Sequence, residues 1–69
     1  MKPQKTRDVL ALMRAQGWTL LRSGKGSHQL WRSADELTQV MVPAGHREIS
    51  SGVLKQLAQA GINIPSNWI

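Results

Sequence analysis

Two amphipathic segments, one near each end of the chain, both finish at a glycine, and this arrangement constrains the fold more than any other feature. Apolar side chains recur at helical spacing in residues 9–13 and again in residues 53–58. Gly17 and Gly61 follow these segments and can adopt the left-handed conformation that closes many helices. The sequence therefore predicts one helix at each end of the fold.

The residues before these segments indicate where each helix begins. The hydroxyl of Thr6 is predicted to cap the first helix by accepting a hydrogen bond from a backbone N–H of the first turn. Ser50 is predicted to cap the second helix, with Ile49 and Leu54 forming a hydrophobic contact across the cap.

Three strand-like runs lie between the helices, at residues 18–23, 28–33 and 38–43. The glycines of residues 24–26 and the polar residues 33–36 form short links, which favour antiparallel neighbours in a meander. Adjacent apolar residues within the runs leave open which face of each strand is buried. The predicted fold is α+β, in the order α-β-β-β-α, with both helices on one face of a three-stranded antiparallel sheet.

The length of 69 residues predicts a single domain, residues 1–69, with a short C-terminal tail at residues 63–69. The absence of cysteine excludes a disulfide scaffold and thiol catalysis. No apolar run approaches membrane length, and no apolar stretch follows the first charges, so neither a membrane span nor a signal peptide is expected. We expect a cytoplasmic protein.

The formal charge of +5 is unevenly distributed along the chain. Residues 1–32 contain seven Lys and Arg against Asp8 alone, a net charge of +6. Residues 33–69 contain two basic and three acidic residues, a net charge of −1. This asymmetry predicts a polyanionic partner, although a basic surface that serves only solubility is the usual alternative.

One cluster combines a glycine turn, a histidine and cations. Its members are Lys25, Gly26, Ser27 and His28, with Arg22 and Arg32 on either side. Glycine lets a backbone approach phosphate, the cations would position it, and an imidazole can accept a proton near neutral pH. RNA supplies its own nucleophile, the 2′-hydroxyl, so such a site needs no metal or cofactor. A surface histidine in an ordinary hairpin is the alternative interpretation.

His46 and Arg47 lie in the loop before the second helix. The usual interpretation of His46 is a solvated loop residue, and the functional alternative is a second proton carrier or a phosphate contact. Arg47 is a weaker candidate than Lys25, Arg22 and Arg32 for holding phosphate. With two histidines, no cysteine and no carboxylate at ligand spacing, no metal site is predicted.

The three tryptophans have two interpretations, stacking on bases or packing in the core. Trp18 and Trp31 belong to strand patterns and are predicted to be buried. Trp68 lies in the tail, where both interpretations stay open.

Over nearly its whole length the chain resembles the HicA family, the RNA-cleaving halves of HicA–HicB toxin–antitoxin pairs. The resemblance is carried by an ordered series of short motifs. They are Gly17-Trp18, Gly26-Ser27-His28, Val42-Pro43, Glu48-Ile49-Ser50-Ser51-Gly52-Val53-Leu54 and Ala60-Gly61-Ile62.

This resemblance implies a fold like that of the double-stranded RNA-binding domain, with His28 at the position of the family's catalytic histidine. It implies mRNA cleavage that blocks translation. It also implies a HicB-type antitoxin, which would cover the site and bind operator DNA through its own DNA-binding domain. Gln29 stands where many relatives have a second histidine, and the segment from Val42 to Ile49 is compact, so no family role is transferred to His46.

Two other functions fit parts of the same pattern. A non-catalytic RNA-binding module would suit the basic half and the element order, but the start of the second helix, residues 50–54, has no cation before Lys55. A basic surface that mainly docks an acidic antitoxin is the other alternative.

Overall fold

Two helices pack on one face of a three-stranded antiparallel sheet in the computed structural model, which describes residues 1–24, 26 and 28–69. The elements are β1 (Gln4–Lys5), α1 (Thr6–Ala15), β2 (Thr19–Ser23), β3 (His28–Arg32), β4 (Gln39–Pro43), β5 (Glu48–Ile49) and α2 (Ser51–Gln59), followed by a 3₁₀ turn (Ser66–Trp68). The predicted α-β-β-β-α order and the α+β class are confirmed. The structure adds a two-stranded antiparallel ladder of β1 with β5.

The main sheet has the order β2-β3-β4, and its register decides what lies near His28. His28 is opposite Pro43 on β4, and Arg32, at the other end of β3, is opposite Gln39. The register of β2 against β3 shifts between Leu20 and Arg22. This bulge is why the alternation of β2 could not be assigned from the sequence.

The core lies between the helices and one face of the sheet. Its buried residues are Val9, Met13, Trp18, Trp31, Val42, Ile49, Leu54, Leu57 and Ile62. The predicted burial of Trp18 and Trp31 is confirmed, whereas Trp68 is half-buried and packs against this core from the tail. No helix among the described residues is both long enough and apolar enough to cross a membrane.

Both helices end at the glycines that the sequence indicated. Gly17 and Gly61 have φ angles of +88° and +108°. At each end the residue after the glycine donates its N–H to a carbonyl five residues earlier, Trp18 to Met13 and Ile62 to Leu57. The predicted cap of α2 is also present, because the Ser50 hydroxyl accepts a hydrogen bond from the Val53 N–H at 3.3 Å.

The prediction for Thr6 is wrong. Lys5 occupies the cap position of α1 and makes no side-chain cap bond, and Thr6 is the first helical residue. The ladder of β1 with β5 brings Thr6 beside the loop before β5, so its N–H donates to the Arg47 carbonyl at 2.9 Å and its hydroxyl donates to the His46 carbonyl. Long-range pairing thus replaces the local cap.

The turn between β3 and β4 is held by one carboxylate. Asp35 Oδ1 accepts hydrogen bonds from the Ser33 hydroxyl and from the Leu37 N–H. These two donors, the Ser33 hydroxyl first, hold the pKa of the Asp35 carboxyl below its ordinary value of 3.8. Glu36 in the same turn has a positive φ of 65°.

Candidate functional site

His28 is the first residue of β3, and its position is fixed by backbone contacts on both sides. Its carbonyl accepts a hydrogen bond from the Gly24 N–H at 2.7 Å, across the β2–β3 hairpin. On the other side it is paired with Pro43 of β4. The side chain itself is exposed. An imidazole in this place has a defined backbone position and remains accessible to a solute.

A shallow depression of about 190 Å³ opens beside His28. Its walls come from the end of β2, from the β2–β3 turn and from the loop after β4. The lining residues are Ser23, Gly26, His28, Gln29, Ala44 and Gly45. Gly26 has a φ of +68°, and a Cβ built there would meet no atom of the other described residues within 4 Å. Small residues on both sides therefore leave the backbone of the depression open to a phosphate.

The two arginines that the sequence placed around His28 lie at different distances from it. Arg22 is opposite Leu30, which lies two residues along β3 from His28. Arg22 is therefore diagonal to His28 across the antiparallel pair, and such diagonal neighbours are about 7–8 Å apart. Arg32 lies four residues along β3, which corresponds to about 13 Å. Arg32 also forms an ion pair with Glu36, with Nη2 at 3.0 Å from Oε1. The structure therefore brings Arg22 near His28 and leaves Arg32 at the far end of the strand.

Lys25 and Ser27 lie outside the described residues, so only Gly26 and His28 of the four-residue motif have a described position. Arg47 is exposed in the segment before β5, and its carbonyl is bound by Thr6.

His46 follows the part of the loop that borders the depression. Its N–H approaches the Pro43 carbonyl at 3.4 Å, and its side chain is exposed and does not line the depression among the described residues. Both histidines therefore contact Pro43 through the backbone, but of the two only His28 lines the depression.

Gln29 is a site residue that sequence reasoning did not select. It lines the depression, and its Oε1 accepts a hydrogen bond from Nε1 of the buried Trp31 at 3.1 Å. The spacing of two residues along a strand puts both side chains on one face of the sheet. A polar residue two positions before a buried tryptophan in a strand pattern was the signal that could have revealed this contact.

Within residues 1–24, 26 and 28–69, no three His, Asp or Glu side chains come together in a group that could hold a metal ion.

Comparison with known protein families assigns the chain. A profile described as the HicA toxin of bacterial toxin–antitoxin systems matches residues 6–62. The chain belongs to the HicA toxin family. The match begins at the first residue of α1 and ends at Ile62, so it includes the whole three-stranded sheet, both helices and the depression at His28. No curated protein and no solved structure gives a significant match.

Membership of the HicA toxin family supports a toxin role for the chain and implies an antitoxin partner. The matched region excludes residues 1–5, which contain β1, and residues 63–69, which form the C-terminal tail. These two terminal segments contact each other in the structure, because the Lys2 N–H donates to the Trp68 carbonyl at 2.7 Å.

Proposed function

We propose that this HicA-family chain is a metal-independent endoribonuclease that cleaves mRNA and blocks translation, with His28 as the general base. The observation that supports it best is the position of His28, an exposed imidazole with a fixed backbone at the edge of a depression lined by Gly26 and Gly45. The family match covers this region and agrees with a toxin role.

The reaction uses the nucleophile that RNA carries. His28 takes the proton of a 2′-hydroxyl, and the oxygen attacks the adjacent phosphorus while the bond to the 5′-oxygen breaks. The 5′-oxygen takes a proton from solvent as it leaves, and the products are a 2′,3′-cyclic phosphate and a 5′-hydroxyl. In a second step water attacks the phosphorus of the cyclic phosphate and releases a proton to solvent, while the protonated His28 gives its proton to the departing 2′-oxygen. Arg22 is the described arginine of β2 and β3 best placed to stabilise the phosphoryl oxygens.

The partners follow from the same proposal. The substrate is mRNA, and the antitoxin is of the HicB type and covers the depression at His28. Operator DNA is contacted only through the antitoxin. The proposal includes a cytoplasmic location, where mRNA is translated.

The decisive experiment compares His28→Ala with His46→Ala in the cleavage of a long single-stranded RNA, with a chelator present. Removal of a general base costs typically ~10²–10⁴-fold in rate, so His28→Ala should lose at least about 100-fold. His46→Ala is the matched control, because it removes an equally exposed imidazole from the adjacent loop and should retain cleavage.

Near-UV circular dichroism of the tryptophans should show that both variants are folded. Normal cleavage by His28→Ala would refute the catalytic assignment. RNA binding by the folded wild-type protein without any cleavage would instead support a non-catalytic RNA-binding module.

A further inference from the structure

A second and larger depression, of about 780 Å³, lies between the start of α1 and the segment that leads into β5. Its lining includes three cations, Lys5, Arg7 and Arg47, and one carboxylate, Glu48. We propose that this groove, here called the α1–β5 groove, binds phosphates of the RNA strand next to the position that is cleaved. This inference rests on the proposed function and adds a substrate-binding surface to it.

The α1–β5 groove is formed by the fold before any ligand binds. Thr6 is buried and donates two hydrogen bonds to consecutive carbonyls of the opposite wall, those of His46 and Arg47. The pairing of Lys5 with Glu48 holds the two walls in register at one end. A surface built in this way loses little conformational entropy when a ligand binds.

The charge of the groove suits a polyanion. The only acidic contact of its three cations among the described residues is between Arg7 Nε and Asp8, at 3.9 Å, and both side chains are more than half exposed. Such a contact is weak in water. With Glu48 as the one acidic lining residue, the groove keeps a positive excess that can hold phosphates.

The groove and the depression at His28 meet at one residue. Ala44 lines both of them, so the two depressions adjoin each other at the loop after β4. An RNA strand with one phosphate at His28 would therefore place neighbouring phosphates in the groove. The groove volume lies in the range of sites that hold whole small molecules, so it has room for nucleotides and not only a single phosphate.

We assign the groove to RNA because it adjoins the proposed cleavage position at Ala44, and an RNA substrate extends along its backbone on both sides of the phosphate that is cleaved. The affinity of such a strand falls as the salt concentration rises, and the steepness of the fall depends on the number of phosphate contacts. Each phosphate contact to single-stranded nucleic acid contributes about 0.7 to the slope of log affinity against log salt concentration.

The test measures the binding of a 2′-O-methyl oligouridylate of about 10 nucleotides, a length typical of small single-strand sites, as a function of salt. This probe lacks the 2′-hydroxyl and so resists the proposed cleavage. Arg7→Gln/Arg47→Gln removes two cations from the groove, and Lys2→Gln/Lys55→Gln removes two exposed cations that do not line either depression.

We expect the groove variant to lower the slope by about 1.4, while the control variant keeps the wild-type slope. Between about 50 and 200 mM salt, the wild-type protein should therefore lose about seven times more affinity than the groove variant. Equal slopes in the two double variants would overturn the inference and leave the role of His28 intact. Conversely, a changed slope together with normal cleavage by His28→Ala would refute only the catalytic proposal.

A polyglutamate peptide provides the comparison with an acidic protein segment. If the groove variant loses affinity for polyglutamate but not for the oligouridylate, the groove is a protein-docking surface and the inference is wrong. Absence of any oligouridylate binding by the wild-type protein at low salt would refute both the groove and the proposed substrate.

Discussion

At the scale of single residues, Gln29 connects the candidate site to the core. Its side-chain oxygen satisfies the indole N–H of Trp31, a residue that is 1% exposed, and the same side chain borders the depression beside His28. The same side chain therefore belongs both to the packing of the core and to the candidate site. Two substitutions separate these roles.

Gln29→Ala removes the acceptor and leaves a buried donor unpaired, which should lower the free energy of unfolding by about 1–3 kcal/mol. Gln29→Glu keeps an acceptor oxygen but adds a negative charge beside the phosphate position. This variant should therefore lose less stability than Gln29→Ala but more of the cleavage activity. Urea unfolding and RNA cleavage measure the two effects. An unchanged unfolding midpoint for Gln29→Ala would show that the hydrogen bond contributes nothing to stability.

Single residues also show the limits of local sequence rules. Ser50 caps α2 as its sequence context predicts, because nothing else competes for its hydroxyl among the described residues. Thr6 has a similar context, but its hydroxyl bonds a carbonyl 40 residues away. Only the β1–β5 pairing explains the difference, and two-residue strands have no pattern that the sequence could reveal.

At the scale of whole elements, Gly17 and Gly61 end the two helices with the same geometry but in different surroundings. A Cβ added to Gly17 would lie 2.7 Å from the Cβ of Ala34, in the turn after β3. A Cβ added to Gly61 would meet none of the described part of the chain within 4 Å. Gly17 thus ends a helix and also allows close packing against the turn between β3 and β4, whereas Gly61 only ends a helix.

Substitution of both glycines by alanine separates backbone strain from steric overlap. Gly61→Ala places a side chain at positive φ and should cost about 1 kcal/mol of unfolding free energy. Gly17→Ala has the same strain and a clash in addition, so it should cost a further ~1–3 kcal/mol. Denaturant unfolding of both variants gives the comparison, and equal losses would mean that the Ala34 turn moves aside without cost.

The elements themselves were largely predictable. The ends of both helices, the strand order and the α+β class followed from glycine positions, short links and apolar spacing. The orientation of the β2 side chains could not be predicted, because the bulge between Leu20 and Arg22 breaks the alternation on which such a prediction depends. For the candidate site, the sequence selected His28 but could not show that Arg32 is directed toward Glu36.

At the scale of the whole molecule, burial is one-sided. The helices cover one face of the sheet, and Leu30 on the opposite face is only half-buried, with its neighbour Met41 49% exposed. Arg22 is cross-strand from Leu30 on that sheet and exposed. A protein with a net charge of +5 and an uncovered sheet is suited to a partner with negative charge and some apolar surface.

If RNA and the antitoxin share the surface around His28, substitution of Arg22 should weaken both RNA cleavage and antitoxin binding, and substitution of Arg32 should weaken both of them less. Arg22→Gln removes a cation near His28 that has no ion pair within the described part of the chain, and it should weaken RNA cleavage and antitoxin affinity about two- to fivefold each. Arg32→Gln should change both less, because Glu36 already neutralises that guanidinium at 3.0 Å. Titration of each variant with the antitoxin measures the change in affinity, and the cleavage assay measures the change in activity. When the titration is repeated at increasing salt concentration, the antitoxin affinity should fall. An Arg22→Gln effect on only one of the two activities would show that RNA and the antitoxin use separate surfaces.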